Sequence, residues 1–114
     1  MVIKPEPSRH VHFIPASDVS GGGTFTAGQP HAGIIAHVHS DRMVNLLVID
    51  KNGWPVSRTS VPLLQPGDVE PAAGSYDYCR WMPHTVAQAE KQMAATLAAF
   101  DAATPAADDE PSAG

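Results

Sequence analysis

The sequence predicts a small, mainly β domain that ends in one helix. Its 114 residues, 43% of them hydrophobic, suit a single domain with one core. From position 9 to about position 82 the apolar residues come in short, nearly alternating bursts rich in Val and Ile, separated by Gly, Pro, Asn and Asp. This pattern is typical of strands. After position 83 the apolar residues recur every three or four positions, which indicates a helix.

The first three strands are predicted from local alternation. Residues 9–14 alternate Val11 and Phe13 with two histidines, as a strand with one hydrated face does. Residues 15–31 are rich in Gly and hold Phe25 as their one large apolar side chain, so we predict a long irregular loop there. Residues 32–39 and 43–50 flank a short polar connection and are predicted to form an antiparallel hairpin.

A second hairpin joins the third predicted strand to the fourth. Asn52-Gly53 between two apolar runs is a strong hairpin signal because both residues tolerate positive φ, so the strand at 56–64 should lie beside the third. Pro62 near its end suits an edge or a bulge, and residues 65–75 are turn formers. Alternation leaves open which face of the fifth strand, at 76–82, points inward. One face carries Tyr76, Tyr78 and Arg80, and the other carries Asp77, Cys79 and Trp81.

The chain after Pro83 predicts a helix that has to be covered on one side. Thr85 and Gln88 have the spacing of a capping box, and a helix over about 86–101 carries an apolar stripe. Burying its large side chains contributes roughly 1.5 to 3 kcal/mol each, so we expect the helix to pack on its own barrel or to join a partner helix. The stripe consists of Val86, Ala89, Met93, Leu97 and Phe100.

Five short strands with a long first loop, a three-strand meander and a terminal helix resemble a small SH3-like barrel. A five-stranded oligonucleotide-binding barrel is the alternative topology. We place the barrel at residues 1–83 and the amphipathic helix at 84–102. Residues 103–114, rich in Ala, Pro and acidic side chains, are predicted to be a disordered tail.

Charge and composition exclude several classes of function. The formal net charge is −5, so a basic surface able to neutralise a phosphate backbone is missing, and we expect no nucleic-acid partner. No apolar run approaches the roughly 18 to 20 residues that span a bilayer, and the first residues lack the pattern of a secretory signal. We therefore expect no membrane association and a location in the cytoplasm. Cys79 is the only cysteine, which excludes an intrachain disulfide and a cysteine-rich zinc cluster.

Two His-x-His pairs are the candidate metal ligands. On a strand the two histidines of a pair lie on one face, about 6 to 7 Å apart. If the two strands are neighbours, four imidazoles can converge, and zinc or another transition metal accepts such ligands. The alternative is that they form the polar half of two amphipathic strands, and we predict no metal or other cofactor. The pairs are His10 with His12 and His37 with His39.

The sequence contains no recognisable catalytic set, and we expect no enzymatic activity. As a nucleophile, Cys79 would need a lowered pKa beside a cation such as Arg42 or Arg80. A lone cysteine between aromatic residues is more typically a small core hydrophobe. No Gly-x-Ser-x-Gly motif accompanies the hydroxyl residues, and the glycine run at 21–23 lacks the Lys and the Ser or Thr of a phosphate-binding loop.

Arginine and aromatic side chains on consecutive strands favour a binding surface instead. Such side chains suit a contact with a protein or stacking on a flat anionic ligand. The alternative is an ordinary hydrated sheet face with a few core aromatics. The predicted surface consists of Arg42, Asn45, Arg58, Thr59, Tyr78, Arg80 and Trp81, with Tyr76 beside it.

Four motifs within residues 36–83 carry a resemblance to a known family. They are His-Val-His-Ser-Asp-Arg-Met-Val-Asn-Leu-Leu-Val-Ile-Asp at 37–50, Asn-Gly at 52–53, Arg-Thr-Ser-Val-Pro-Leu-Leu-Gln at 58–65 and Tyr-Cys-Arg-Trp-Met-Pro at 78–83. Together they resemble a family of small hypothetical proteins of tailed bacteriophages and prophages, which has no settled activity. The resemblance implies a phage or prophage origin and a small barrel with a short appended helix, and it brings no catalytic residues.

Three functional hypotheses follow. The first is a non-enzymatic phage accessory protein, a small β-barrel that binds an unidentified protein and itself, with Arg42, Asn45, Arg58 and Trp81 near the contact surface. The second is a homo-oligomer that sequesters a nucleotide signal of host defence in pockets between subunits. The third is a minor component of the virion. The amphipathic helix and the edge strands predict a homodimer or a higher symmetric oligomer.

Overall fold

The computed structural model describes the backbone of residues 1–107 and the side chains of residues 1–100. The predicted mainly β fold, with a closed five-stranded barrel and one C-terminal helix, is confirmed. The part of the predicted tail at 108–114 lies outside the described residues. The elements are β1 (His10–Ile14), β2 (Val19–Ser20), β3 (Gly23–Thr24), β4 (His31–Ser40), β5 (Met43–Ile49), β6 (Pro55–Leu64), β7 (Tyr78–Trp81) and α1 (Pro83–Ala107).

Five strands close into a barrel in the order β1-β4-β5-β6-β7, and β7 pairs back onto β1. The neighbouring strands are antiparallel except β6 and β7, which run parallel where Leu63 pairs with Cys79 and Leu64 with Arg80. Each barrel strand therefore lies beside the next barrel strand in the chain, as the predicted meander requires. The likeness to SH3-like barrels in particular stays a prediction from the sequence.

The side chains that point inward from each barrel strand fill the barrel interior. Side chains from all five barrel strands are at most 2% exposed. Apolar burial contributes about 25 cal/mol per Å², and a slip of one residue would turn these side chains to water, so the pattern also fixes the register. The interior side chains are Val11, Phe13, Ile35, Val44, Leu46, Val48, Val61, Leu63 and Cys79.

The segment predicted as an irregular loop at 15–31 contains a short hairpin, so that prediction is wrong in part. Strands β2 and β3 pair with each other, and the two residues between them, Gly21 and Gly22, have φ of 57° and 86°. Two successive positive φ angles form a tight turn whose twist matches that of the flanking strands. Directly after β3, Phe25 is fully buried, and its ring centroid lies 5.4 Å from that of Phe13. The hairpin is thereby anchored to the barrel core.

The connection between β5 and β6 is longer than the two-residue turn that Asn52-Gly53 favoured. It spans residues 50–54, and only Gly53 of that pair has positive φ, at 85°. The Asp50 carboxylate organises the loop by accepting hydrogen bonds from the N–H groups of Asn52 and Trp54, at 2.9 Å each. A third bond from the Thr24 N–H ties the loop to the β2–β3 hairpin. These backbone donors, that of Trp54 first, lower the pKa of Asp50.

Strand β7 is shorter than the predicted strand at 76–82, and each of its faces carries a buried side chain. Tyr78 is 8% exposed and Trp81 is 3% exposed, while Cys79 between them is fully buried. Tyr76 precedes the strand and is 49% exposed. Alternation could not decide which face points inward because each face carries a buried aromatic side chain.

Helix α1 begins at Pro83, a residue that suits a first turn because the first N–H groups of a helix have no partner inside it. The helix extends to Ala107 and is thus longer than the predicted 84–102. Four of residues 102–107 are alanine, the best helix former. In the predicted stripe Val86 and Ala89 are half-buried, and the exposed members are Met93, Leu97 and Phe100.

Candidate binding face

One face of the barrel carries side chains that point away from the core. Directly opposed residues of antiparallel strands share a face, so the strand registers define rows of neighbours across it. We call this set the outer face: Arg80 on β7, His10 and His12 on β1, Ala32 and Ile34 on β4, Leu47 and Ile49 on β5, and Pro55 and Ser57 on β6.

The part of the outer face on β4, β5 and β6 is apolar and accessible. Leu47 is 40% exposed, Ile34 and Ile49 are half-buried, and Trp54, next to Pro55 in the chain, is 69% exposed. Residues 46–49 of β5 are apolar at every position, a pattern typical of strands that are covered on both sides. The barrel core covers the inner side alone.

A groove of about 290 Å³ lies where the apolar part of the outer face meets β1. The small side chain of Ala32 lies opposite His12 across the strand pair, and on its other side His12 pairs with Arg80. Burial, and after it the Arg80 guanidinium, lower the pKa of His12 and so favour its neutral imidazole. The walls include His10, His12, Pro30, Ala32, Ile34 and Met82.

Two of the predicted surface residues form hydrogen bonds that stabilise turns and irregular backbone of the barrel itself. The Arg42 guanidinium forms a two-point ion pair with Asp68, with Nε–Oδ2 at 2.9 Å and Nη2–Oδ1 at 3.1 Å, and this partner lowers the pKa of Asp68. The Oδ1 atom of Asn45 accepts the Ser60 N–H at 2.8 Å and lies 2.9 Å from Nε2 of His39. Since Ser60 has a φ of 53°, the Asn45 amide holds an irregular point in β6.

Arg58 lies in a half-buried polar cluster beneath the β2–β3 hairpin. It pairs with the inward-facing Leu46 across the strands, and its Nη2 lies 3.1 Å from Oδ2 of Asp77. The Asp77 carboxylate also accepts hydrogen bonds from the Ser20 hydroxyl and the Ala16 N–H. Among the described residues, the buried Nε of Arg58 has no hydrogen-bond partner. This cluster joins the hairpin to the barrel wall.

The aromatic members of the predicted surface lie in the core, so they offer no accessible contact area. The Trp81 indole N–H donates to Oε1 of Gln65 at 3.1 Å, and the Arg9 guanidinium lies 4.9 Å from the centre of its ring. Tyr78 is also buried, and burial raises its pKa.

The seven predicted residues therefore do not form one surface. Arg80 is on the outer face, where its Nη1 lies 2.6 Å from the exposed Glu70 carboxylate. Thr59 is exposed on β6, and Arg42 lies at the turn between β4 and β5. The apolar part of the outer face was not among the predicted surface residues. The uninterrupted apolar run at 46–49, followed by Trp54 in a turn, was the signal available for it.

The two His-x-His pairs do not converge. The pairing of β1 with β4 begins at His10 and Ile34, so His37 and His39 lie further along β4, where that strand pairs with β5. Their rings meet edge to face, with centroids 4.8 Å apart. Within the part of the chain that the structure describes, no three or more His, Cys, Asp or Glu side chains are grouped so that they could hold a metal ion.

The Cys79 thiol lies in the core and is not activated. Its side chain is fully buried, and its Sγ lies 3.4 Å from the Pro62 carbonyl oxygen. Burial raises the pKa of Cys79 to about 12. Since the thiolate is the nucleophilic form, this environment suits a core side chain and opposes nucleophilic chemistry.

We expect Cys79 to resist iodoacetamide in the native protein. The rise of its pKa from 9.0 to about 12 lowers the thiolate fraction at neutral pH about a thousandfold, and burial blocks access as well. Mass spectrometry of timed samples should show slow labelling in buffer and fast labelling in denaturing urea. Equal rates in the two solvents would contradict the described environment of the thiol.

Comparisons with protein-family models, with curated proteins and with solved structures find no match for this chain. Among the described residues, no helix combines the length and the apolar character needed to cross a membrane.

Proposed function

We propose that this protein is a non-enzymatic binding module, a small β-barrel that associates with itself and with a protein partner through the apolar part of its outer face. The observation that carries the proposal is the exposure of Leu47 between Ile34 and Ile49, with the exposed Trp54 next to Pro55 in the chain. Contiguous exposed apolar side chains mark interaction sites, and exposed tryptophan is enriched among the residues that dominate binding energy. The resemblance of the sequence supports a phage or prophage origin and an accessory role in the host cytoplasm.

Two copies of the chain can cover this face by packing it against itself. If two copies meet with the same patch, each exposed side chain of one copy is covered by the other, which is the arrangement of a two-fold dimer. Each residue of the face is then buried in both copies of the dimer, and its apolar area contributes about 25 cal/mol per Å² to the dimer's stability in each copy. The exposed helix residues Met93 and Leu97 offer a second surface for oligomer formation.

Sequestration of a nucleotide is the less favoured alternative. It depended on arginine and aromatic side chains, yet Arg42 and Arg80 are engaged with carboxylates, and Tyr78 and Trp81 are buried. A virion component remains the other alternative, and protein analysis of purified particles tests it, because an accessory factor should be absent from them.

Replacing Leu47 with aspartate is expected to weaken self-association by about tenfold or more, which corresponds to about 1.4 kcal/mol. The introduced carboxylate would have to be desolvated at the interface, while in the monomer it stays in water. Sedimentation velocity over a range of protein concentrations measures the change. Val69→Asp is the matched control, because Val69 is an apolar side chain that is 89% exposed and does not belong to the outer face.

The control should keep the association, since Val69 lies in the turn region at 65–75 and not on the outer face. A wild-type protein that stays monomeric at micromolar concentrations would reject self-association. Equal weakening by both variants would show that added charge, and not the loss of an apolar contact at Leu47, is responsible.

A further inference from the structure

We propose that His37 and His39 form a binding site for a divalent transition metal, Cu²⁺ above all, in which the two imidazoles bind one ion. Both side chains are exposed near the end of β4, and their ring centroids lie 4.8 Å apart. Two imidazoles that bind one ion through nitrogens at about 2.0–2.1 Å hold their ring centres about 5 Å apart. The spacing of the two rings therefore suits a shared ion. This site is independent of the proposed self-association.

Both histidines project from the same side of the barrel wall. Val38, which lies between them, pairs with Val44, whose side chain is fully buried in the core. The neighbours of Val38 in the chain therefore point outward. The two ring planes are inclined by 77°. The adjustment that aims both nitrogens at one ion is a rotation of the His37 ring about its Cβ–Cγ bond, which is a soft torsion.

The hydrogen bonds of Asn45 determine which nitrogen of His39 can bind an ion. The Asn45 Oδ1 atom accepts the Ser60 N–H at 2.8 Å, and the same atom lies 2.9 Å from Nε2 of His39. Because an amide oxygen only accepts, Nε2 carries the hydrogen, and in the neutral imidazole Nδ1 keeps the lone pair. Metal-binding histidines almost always donate their other ring N–H to an oxygen in this way. Asn45 is thus a positioning residue for His39.

The donor atoms of the site select the class of ion. Imidazole nitrogen suits Cu²⁺, Ni²⁺ and Zn²⁺, whereas Mg²⁺ and Ca²⁺ prefer oxygen ligands. Among the described residues, no third His, Cys, Asp or Glu side chain joins the pair, so water completes the coordination of the ion. With two protein ligands alone, the intrinsic affinity of the ion for nitrogen decides the occupant, and among first-row divalent ions Cu²⁺ has the highest.

The other His-x-His pair, on β1, has the same motif beside a cation. His12 lies opposite Arg80 across β1 and β7. Although Glu70 pairs with this guanidinium, the positive charge still contributes to the lowered pKa of His12, and it opposes a metal cation in the same way. By contrast, His37 lies opposite the uncharged Asn45. The pair on β1 is therefore the natural control for the pair on β4.

Titration of the metal-free full chain with copper(II) chloride, followed by heteronuclear NMR, tests the site. Substoichiometric Cu²⁺ should broaden the amide signals of residues 37–39 first, while Mg²⁺ at the same concentration should leave them unchanged. His37→Gln should weaken Cu²⁺ binding at least about tenfold, since the second imidazole of a pair acts at a high effective concentration. The double variant His10→Gln and His12→Gln, which removes the motif from β1, should keep the wild-type affinity at residues 37–39.

Asn45→Asp tests the positioning role of Asn45. A carboxylate accepts the same two hydrogen bonds and raises the basicity of the imidazole that donates to it, so this variant should bind Cu²⁺ more tightly than wild type. Unchanged or weaker binding would overturn the tautomer assigned to His39. A dispersed amide spectrum verifies the fold of each variant. Broadening centred elsewhere on the chain, or equal affinity of wild type and His37→Gln, would overturn the site itself.

Discussion

Replacing Gln65 with alanine is expected to destabilise the barrel by about 3 kcal/mol or more, since each buried polar group left without a partner costs about 1–3 kcal/mol. Gln65 is 2% exposed, and its amide is used fully. Oε1 accepts the Ile3 N–H at 2.9 Å and the Trp81 indole N–H at 3.1 Å. Nε2 donates to the carbonyls of Ile3 at 3.0 Å and Asp41 at 2.7 Å.

These four hydrogen bonds connect three separate parts of the barrel. The N-terminal segment, the β4–β5 turn and strand β7 all meet at one side chain. Alanine would leave the Trp81 N–H and the Asp41 carbonyl without their partner, whereas the Ile3 segment can detach and find water. Urea unfolding followed by circular dichroism measures the loss, and Gln29→Ala, in an exposed loop, is the matched control with an expected change below about 0.5 kcal/mol.

Gln65→Glu separates the loss of the amide from the loss of volume. The introduced carboxyl keeps the size of the side chain, but at neutral pH it has no hydrogen to donate to the Ile3 and Asp41 carbonyls. Burial and these carbonyls raise its pKa in the folded state above the unfolded value of about 4.3. The folded state then binds more protons than the unfolded state, so the stability of the variant falls as pH rises above that value.

The stability deficit of Gln65→Glu relative to wild type should therefore be smaller near pH 4.5 than at pH 7, measured by urea titrations at both pH values. A deficit that does not change with pH would mean that the introduced carboxyl reaches water, which contradicts the buried site. A deficit of Gln65→Ala no larger than that of Gln29→Ala would show that the four hydrogen bonds contribute nothing net.

The sequence could not reveal this role because every partner of the Gln65 side chain is distant along the chain. Ile3 is separated from it by 62 residues and Asp41 by 24. Locally, Gln65 stands at the start of a run of turn formers at 65–75, and a polar residue there is typically exposed. Hydrogen bonds between distant segments leave no periodic trace in the sequence.

The barrel itself was predictable, since alternation and the turn signals act over neighbouring residues. Val11 and Phe13 on β1, like Val44, Leu46 and Val48 on β5, show the two-residue period that fixes the inner face. The β2–β3 hairpin was within reach of the same reasoning, because a Gly-Gly pair is a known turn sequence. It was missed because its strands are two residues long and show no period.

The candidate surface was harder to predict than the fold. Arginine and tryptophan suggest contacts by their chemistry alone, but burial decides whether they are available, and burial depends on which segments cover a strand. Trp81 on β7 is enclosed, whereas Trp54, in a loop, is open to solvent. The two residues differ in tertiary surroundings and not in residue type, so composition cannot distinguish them.

Phe25→Ala is expected to destabilise the protein by about 3–5 kcal/mol, the range for removing a fully buried phenylalanine. The Phe25 ring is enclosed by Phe13, at a centroid distance of 5.4 Å, and by the edge-to-face His31 ring at 5.0 Å. The Val56 side chain and the Phe25 ring also lie so close to Gly23 that a Cβ there would meet Val56 at 2.5 Å and Phe25 at 3.0 Å. Surroundings packed this tightly cannot easily collapse into the space that alanine leaves.

The same substitution should loosen the β2–β3 hairpin before it unfolds the barrel. Phe25 is the one fully buried large side chain among residues 16–30, so without it the segment keeps mainly its polar contacts, such as those of Asp50 and Asp77. Hydrogen exchange should therefore accelerate at the amides of Thr24 and Phe25 more than at β5 amides. Tyr76→Ala, which removes a half-exposed aromatic ring, is the matched control, with an expected loss below about 1 kcal/mol. A uniform acceleration of hydrogen exchange across the hairpin and the barrel would mean instead that the two unfold as a single unit. Phe25 would then belong to the barrel core and not to a hairpin that unfolds separately.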